Sequence, residues 1–205
     1  MKVLVACEFS GVVREAFRNR GHDAWSCDIL PSQDNSKHHH QTDIMNILKH
    51  DRDYDLMIAH PPCTYLCNSG VSHLHKDKSR WDELRKASEF FNVLLASRIE
   101  KICVENPIPH KYGVLPKYTQ IVQPYQFGHP ERKATCLWLK NLPKLEPTKN
   151  VYKEMLKLPK KLSQRIHYTS PGKNRGMLRS ITFKGIADAM AEQWGSQSFS
   201  SGGMK

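Results

Sequence analysis

Tyr54-Asp55-Leu56-Met57-Ile58-Ala59-His60-Pro61-Pro62-Cys63 is the stretch on which the fold of this chain turns. The apolar run that ends at Ala59 is short and is closed by a proline pair, so residues 54–59 read as a buried strand. Two prolines remove two backbone donors and hold the chain extended, which forces it out of the sheet at the strand's carboxyl end. Ligands of open parallel sheets bind outside that end. Cys63 therefore stands where a nucleophile belongs, although a lone cysteine is more often a small buried hydrophobe. The neighbouring strand ends decide between the two.

Residues 2–6 are an apolar run, followed by Cys7-Glu8-Phe9-Ser10-Gly11 and then by Val12, Val13, Ala16 and Phe17 at helical spacing. This is a strand, a small-residue turn and a helix. Ala24-Trp25-Ser26-Cys27 is a second strand that ends in Asp28, and Asp43 follows a polar loop. An acid roughly 20 positions beyond a glycine turn is where a nucleotide ribose finds its hydroxyl acceptor. Residues 101–104 make a further strand that stops at Glu105-Asn106-Pro107, which brings a carboxylate to the same edge as Cys63. Leu84, Ala87, Phe90, Phe91, Leu94 and Leu95 mark an amphipathic helix over 81–98 that covers one sheet face, with both phenylalanines as packing residues.

These residues resemble the DNA cytosine-5 methyltransferases, and especially their short bacteriophage-type members. Phe9-Ser10-Gly11 is similar to the family's first motif, Asp28 and Asp43 to its two cofactor acids, Pro61-Pro62-Cys63 to its catalytic Pro-Pro-Cys, and Glu105-Asn106 to its Glu-Asn pair. The stretch from Gly128 to Leu139 and the stretch from Arg179 to Gly195 look like segments of the phage group. The resemblance implies an α/β fold, the Rossmann-like S-adenosylmethionine-dependent methyltransferase fold, with a mostly parallel central sheet and helices on both faces. It implies methyl transfer from S-adenosylmethionine to C5 of cytosine in DNA, with Cys63 adding to C6 and Glu105 assisting at N3. Phe9, Ser10, Gly11, Asp28, Asp43 and Pro61 would hold the cofactor, and the 64–79 loop would close over the substrate.

The sequence also departs from the pattern. Val13 stands where a second glycine is usual, and Pro107 replaces the hydrophobic residue that commonly follows Glu-Asn. The family's base-holding Gln-Arg-Arg motif is not cleanly present; Arg132 is the nearest match and is assigned to the catalytic set, with Arg165 and Lys133 as alternatives. The residues alone leave two rival classes open. One is a nucleic-acid-binding relative that keeps the fold without turnover. The other is a pyrimidine C5 transferase acting on RNA or nucleotides, because Pro-Pro-Cys and Glu-Asn report pyrimidine activation and not the polymer.

With 205 residues and a net charge of +11, the chain suits one catalytic domain over 1–195 and a disordered tail over 196–205. Only 140–179 is available as a recognition insertion, and it holds eleven Lys and Arg against Glu146 and Glu154. Charge so concentrated reads as a polyanion contact, carried by Lys157, Lys160, Lys161, Arg165, Lys173 and Arg175, although a solvated face has the same composition. Tyr152, Tyr168 and His167 are interleaved with it, as stacking or as packing residues. Six irregularly spaced cysteines suit a reducing, cytoplasmic compartment, that of the bacterial host cell if the chain is phage-encoded. No apolar run approaches the roughly 20 residues of a membrane span, and a monomer is favoured. His38-His39-His40 reads as solvated loop and not as a metal site, because no paired Cys or His spacing accompanies it.

Overall fold

A computed structural model describes residues 1–196 except 72, 171, 173 and 174. Lys173 of the basic set and the tail beyond Ser196 therefore lie outside the described residues. The chain runs β1 (Lys2–Ala6), α1 (Val12–Arg18), β2 (Asp23–Asp28), β3 (His39–Gln41), α2 (Ile44–Ile47), β4 (Leu56–Ala59), α3 (Asn68–Val71) and α4 (Ser79–Leu95). It continues as β5 (Lys101–Pro107), β6 (Gln120–Val122), β7 (Thr135–Lys140), α5 (Tyr152–Leu156), α6 (Lys160–Ser163), α7 (Arg175–Ser180) and α8 (Lys184–Gly195).

The strands form one sheet in the order β3-β2-β1-β4-β5-β7-β6. β3, β2, β1, β4 and β5 are parallel, and β7 is antiparallel to both of its neighbours. Strand alternation sorts the core into two layers. Val3, Val5, Leu56, Ile58 and Cys103 face α1 and α8, where Phe17 and Trp194 are fully buried. Leu4, Met57, Ala59, Ile102 and Val104 face α4 through Leu84, Phe91 and Leu94. Because β1, β4 and the first half of β5 are covered on both sides, residues 3–6, 56–59 and 102–104 read as unbroken apolar runs.

Two sequence expectations change. The strand at 101–104 continues to Pro107, because β7 pairs with residues 102–107, Glu105 opposite Leu137 and Asn106 opposite Cys136. Glu105 is thus held by a ladder and not by a loop. The histidine run is not solvated loop: His39 and His40 lie on edge strand β3, and His38 and His40 pack against Trp25 at 5.0 and 4.8 Å between ring centres. His39 Nδ1 lies 2.8 Å from the Ser26 hydroxyl.

Candidate active site

The carboxyl ends of β1, β4 and β5 lie side by side, and each carries an ionisable side chain: Glu8, His60 and Glu105. Cys7 takes a left-handed backbone (φ 57°), and the next residue, Glu8, caps the start of α1 with its buried carboxylate. That carboxylate accepts from the backbone N–H of Val13 (2.7 Å) and Arg14 (3.2 Å), and from the Ser10 hydroxyl (3.3 Å). Gly11, also left-handed at φ 75°, has no room for a side chain, since a Cβ would overlap the Arg14 guanidinium. Arg14 is fully buried and bonds Asp34, Glu15 (2.9 Å) and the Ser26 hydroxyl (2.7 Å). The chain's own groups thus fill the helix start, where a phosphate would otherwise bind.

His60 Nδ1 lies 2.7 Å from Glu105 Oε2, and both side chains are about nine-tenths buried. Burial opposes charge on His60, but the hydrogen bond and charge of Glu105, with Glu8 adding to them, hold the imidazole above its ordinary range against Lys133. Burial would also lift Glu105, yet the His60 hydrogen bond, Lys133 and the His60 charge bring it below the usual carboxylate range. The two directions agree on an imidazolium–carboxylate pair. Glu8 is raised, chiefly by burial, despite His60 and the two backbone donors.

Cys63 is half-buried in a turn whose Leu66 and Cys67 N–H groups donate to its carbonyl at 3.1 and 3.0 Å. A hydrogen bond with the Cys67 thiol, then burial, then the charges of Cys67 and Glu105 push its own thiol up, while Lys133 pulls it down. The thiol is therefore the resting form. Cys63 opens on a cleft of about 580 Å³ lined also by His73, Arg80, Lys133 and Arg179. Lys133 reaches a gap beside Glu105 as well and is the cation shared by both groups. Arg132, by contrast, is exposed and lies over the Tyr152 ring at 5.9 Å. Of the three residues that the sequence offered for the base-holding role, Arg132, Arg165 and Lys133, it is Lys133 that lines this cleft; Arg80 and Arg179 carried no sequence signal for it.

Asp28 and Asp43 stand together near the carboxyl ends of β1 and β2. Cys27 is pushed up to about 12 by burial and then by these two carboxylates, and Cys7 is raised in the same way. Asp28 accepts from the Leu30 N–H (2.9 Å) and Asp43 caps α2 through the Met45 N–H (2.8 Å). Ile29 and Leu30, 73% and 44% exposed, offer apolar surface beside them that the sequence reading missed. Phe9 is buried, and Ser10, Phe9 and His60 line a small cavity closed by Ser180, Ile181 and Thr182. Acids beside an apolar ledge, with a helix start already filled by Glu8, suit a positively charged nucleoside and disfavour a pyrophosphate.

In the basic stretch, Lys157, Lys160, Lys161 and Arg165 are exposed, and Arg165 pairs with Glu131 at 3.0 Å. Arg175 opens α7 and is half-buried. Tyr152 packs on Tyr125, and His167 on Tyr168. Among the described residues no helix is long and apolar enough to cross a membrane.

No protein-family model and no curated protein matches the chain. Among solved structures it is similar to the methyltransferase EhMeth of Entamoeba histolytica, with a TM-score of 0.50 and 17% identity over 73% of this chain and 57% of that one. It is also similar to a putative DNA modification methyltransferase encoded within an E. coli prophage (TM-score 0.45, 16% identity, 78% of this chain and 55% of that one). The Dnmt2 methyltransferase of S. pombe gives a TM-score of 0.45 and 17% identity over 84% of this chain and 60% of that one. The chain thus spans 55–60% of the length of these three structures. The Entamoeba likeness and the strand order define the fold as the Rossmann-like fold of S-adenosylmethionine-dependent methyltransferases.

Proposed function

We propose that the protein transfers a methyl group from S-adenosylmethionine to C5 of cytosine in DNA through a covalent adduct on Cys63, within one catalytic domain over 1–195. The observation that carries this reading is that a thiol and a carboxylate, Cys63 and Glu105, come to the carboxyl edge of adjacent parallel strands with Lys133 beside both. A pyrimidine C5 is a poor nucleophile until a thiolate adds to C6 and a proton or hydrogen bond at N3 draws off the negative charge. The cleft offers Cys63 for the first and Glu105 for the second. Lys133 lowers the cost of the thiolate, and substrate binding has to part Cys63 from Cys67 before attack.

Asp28 and Asp43 suit the hydroxyls and amino group of an adenosine, Ile29 its apolar face, and the carboxylate-filled start of α1 a positive charge nearby. When bound, S-adenosylmethionine supplies an electrophilic methyl group. The exposed cations at 157–165 support DNA as the substrate, since they can meet successive phosphates with little sequence information. Incubation with cytosine DNA and methyl-labelled S-adenosylmethionine, followed by hydrolysis to nucleosides, tests this. The expected product is labelled 5-methyl-deoxycytidine. Label on the exocyclic nitrogen, label only in RNA or free nucleotide, or no label would overturn it.

A further inference from the structure

Methyl transfer as drawn above employs Cys63 and Glu105 but leaves His60 idle, although His60 is the best-held side chain of the three. Its backbone N–H donates to the Ala6 carbonyl at 2.9 Å, its Nδ1 meets Glu105 Oε2 at 2.7 Å, and its side chain is 9% exposed. Nε2 is buried and has no hydrogen-bond partner among the described residues. Every element packed around it contributes. β1 leads to the Glu8 carboxylate, β5 holds Glu105, the segment leading into β7 brings Lys133, and 180–182 adds only neutral side chains. Two carboxylates against one cation favour a protonated ring.

Glu105 faces a difficulty that this arrangement resolves. A carboxylate that is ionised at neutral pH has no proton to give, yet addition at C6 needs one delivered to N3. We propose that His60 is the proton store for Glu105, a positioning residue that fixes Oε2 through Nδ1 and supplies the proton that Glu105 carries to N3 of the target pyrimidine. This rests on the methyl-transfer reading. The Nδ1–H bond breaks as an O–H bond forms on Oε2, leaving His60 neutral with its remaining proton on Nε2. A half-turn of the carboxyl about its last torsion presents that O–H to the ring. The Cys63 S–H proton passes to solvent as the thiolate forms beside Lys133; the O–H bond then breaks and N3–H forms, while the Cys63 sulfur bonds to C6 and the C5–C6 π pair shifts to C5. After methyl transfer a water takes the C5 proton, the C5–C6 π bond re-forms as the C6–S bond breaks and the thiolate leaves, and the N3 proton returns through Glu105 to His60. The store is full at low pH and empties as the pH rises through the raised His60 value.

His60→Asn separates holding from storing, because an amide N–H can still bond Oε2 but carries no transferable proton. Single-turnover methyl transfer would be followed for both proteins across the pH range. The rate of His60→Asn relative to wild type should fall roughly tenfold between about pH 6 and about pH 8, as one proton fewer is retained on the pair. A ratio that stays flat with pH overturns the proposal and leaves the methyl-transfer reading intact. A wild type that methylates no cytosine DNA at any pH overturns both. Should His60→Asn not fold, nitrogen-15 spectra of the wild-type histidines decide: His60 doubly protonated at neutral pH is expected, and a singly protonated ring contradicts the store.

Discussion

The carboxyl edge of the sheet and the basic stretch at 140–179 are built on opposite principles. At the edge, Glu8, His60 and Glu105 are buried, and each is tied to a named partner at 2.7 Å. In the stretch, Lys157, Lys160 and Lys161 stand in solvent on or beside helices of four or five residues, and Arg165 is 63% exposed even in its ion pair with Glu131. The difference teaches what each region can encode. Groups locked by burial act through position, and a small change abolishes the effect. Exposed cations act through summed charge, and any one of them is replaceable.

The contrast is broken most sharply at Glu105. Glu105→Gln keeps the shape, but it cannot carry a proton and it removes the charge facing His60. Single-turnover methyl transfer should drop by about 10²–10⁴-fold, with cofactor affinity little changed. A loss confined to cofactor binding would move Glu105 out of the chemistry. Next in size is Gly11→Ala. A left-handed alanine costs about 1–2 kcal/mol, and its overlap with buried Arg14 adds about 1–3 kcal/mol more, as overpacking does. Urea unfolding should show the combined loss, and an unchanged midpoint would mean that the turn relaxes freely.

The smallest effect belongs to the stretch. Neutralising Lys157, Lys160 and Lys161 together should weaken DNA binding equally on unrelated sequences and flatten the salt dependence by up to about three counterions. Titrations at several salt concentrations check this. A loss limited to one sequence would show that these lysines read bases, and the comparison between the two regions would fail.

The sequence made the edge legible because its signals are local. Proline pairs, apolar runs and the glycine turn act within a few residues, so β1, β2 and β4 and their terminal acids and thiol follow directly from the text. What stayed hidden depends on register between distant segments. Glu105 lies inside β5 because β7, some 30 residues later, pairs with it in antiparallel fashion. Arg132 and Lys133 are adjacent in sequence, yet only Lys133 reaches Glu105, since alternate residues of an extended chain face opposite ways. The His39–Gln41 strand is three residues long and polar, too short to carry a period, and only its pairing with β2 reveals it. The capping role of Glu8 was invisible for a related reason, because it follows from the left-handed turn at Cys7.

The central claim is that Cys63 bonds covalently to the target pyrimidine. DNA carrying 5-fluorocytosine blocks release once C5 has been methylated, because fluorine cannot leave as a proton does, and the adduct persists. Peptide mass mapping of the trapped complex should find the nucleotide on Cys63 in the presence of S-adenosylmethionine, and Cys63→Ser should form no adduct and lose about 10⁴-fold or more in turnover. An adduct on Cys67 or another residue, or normal methylation by Cys63→Ser, would contradict the account.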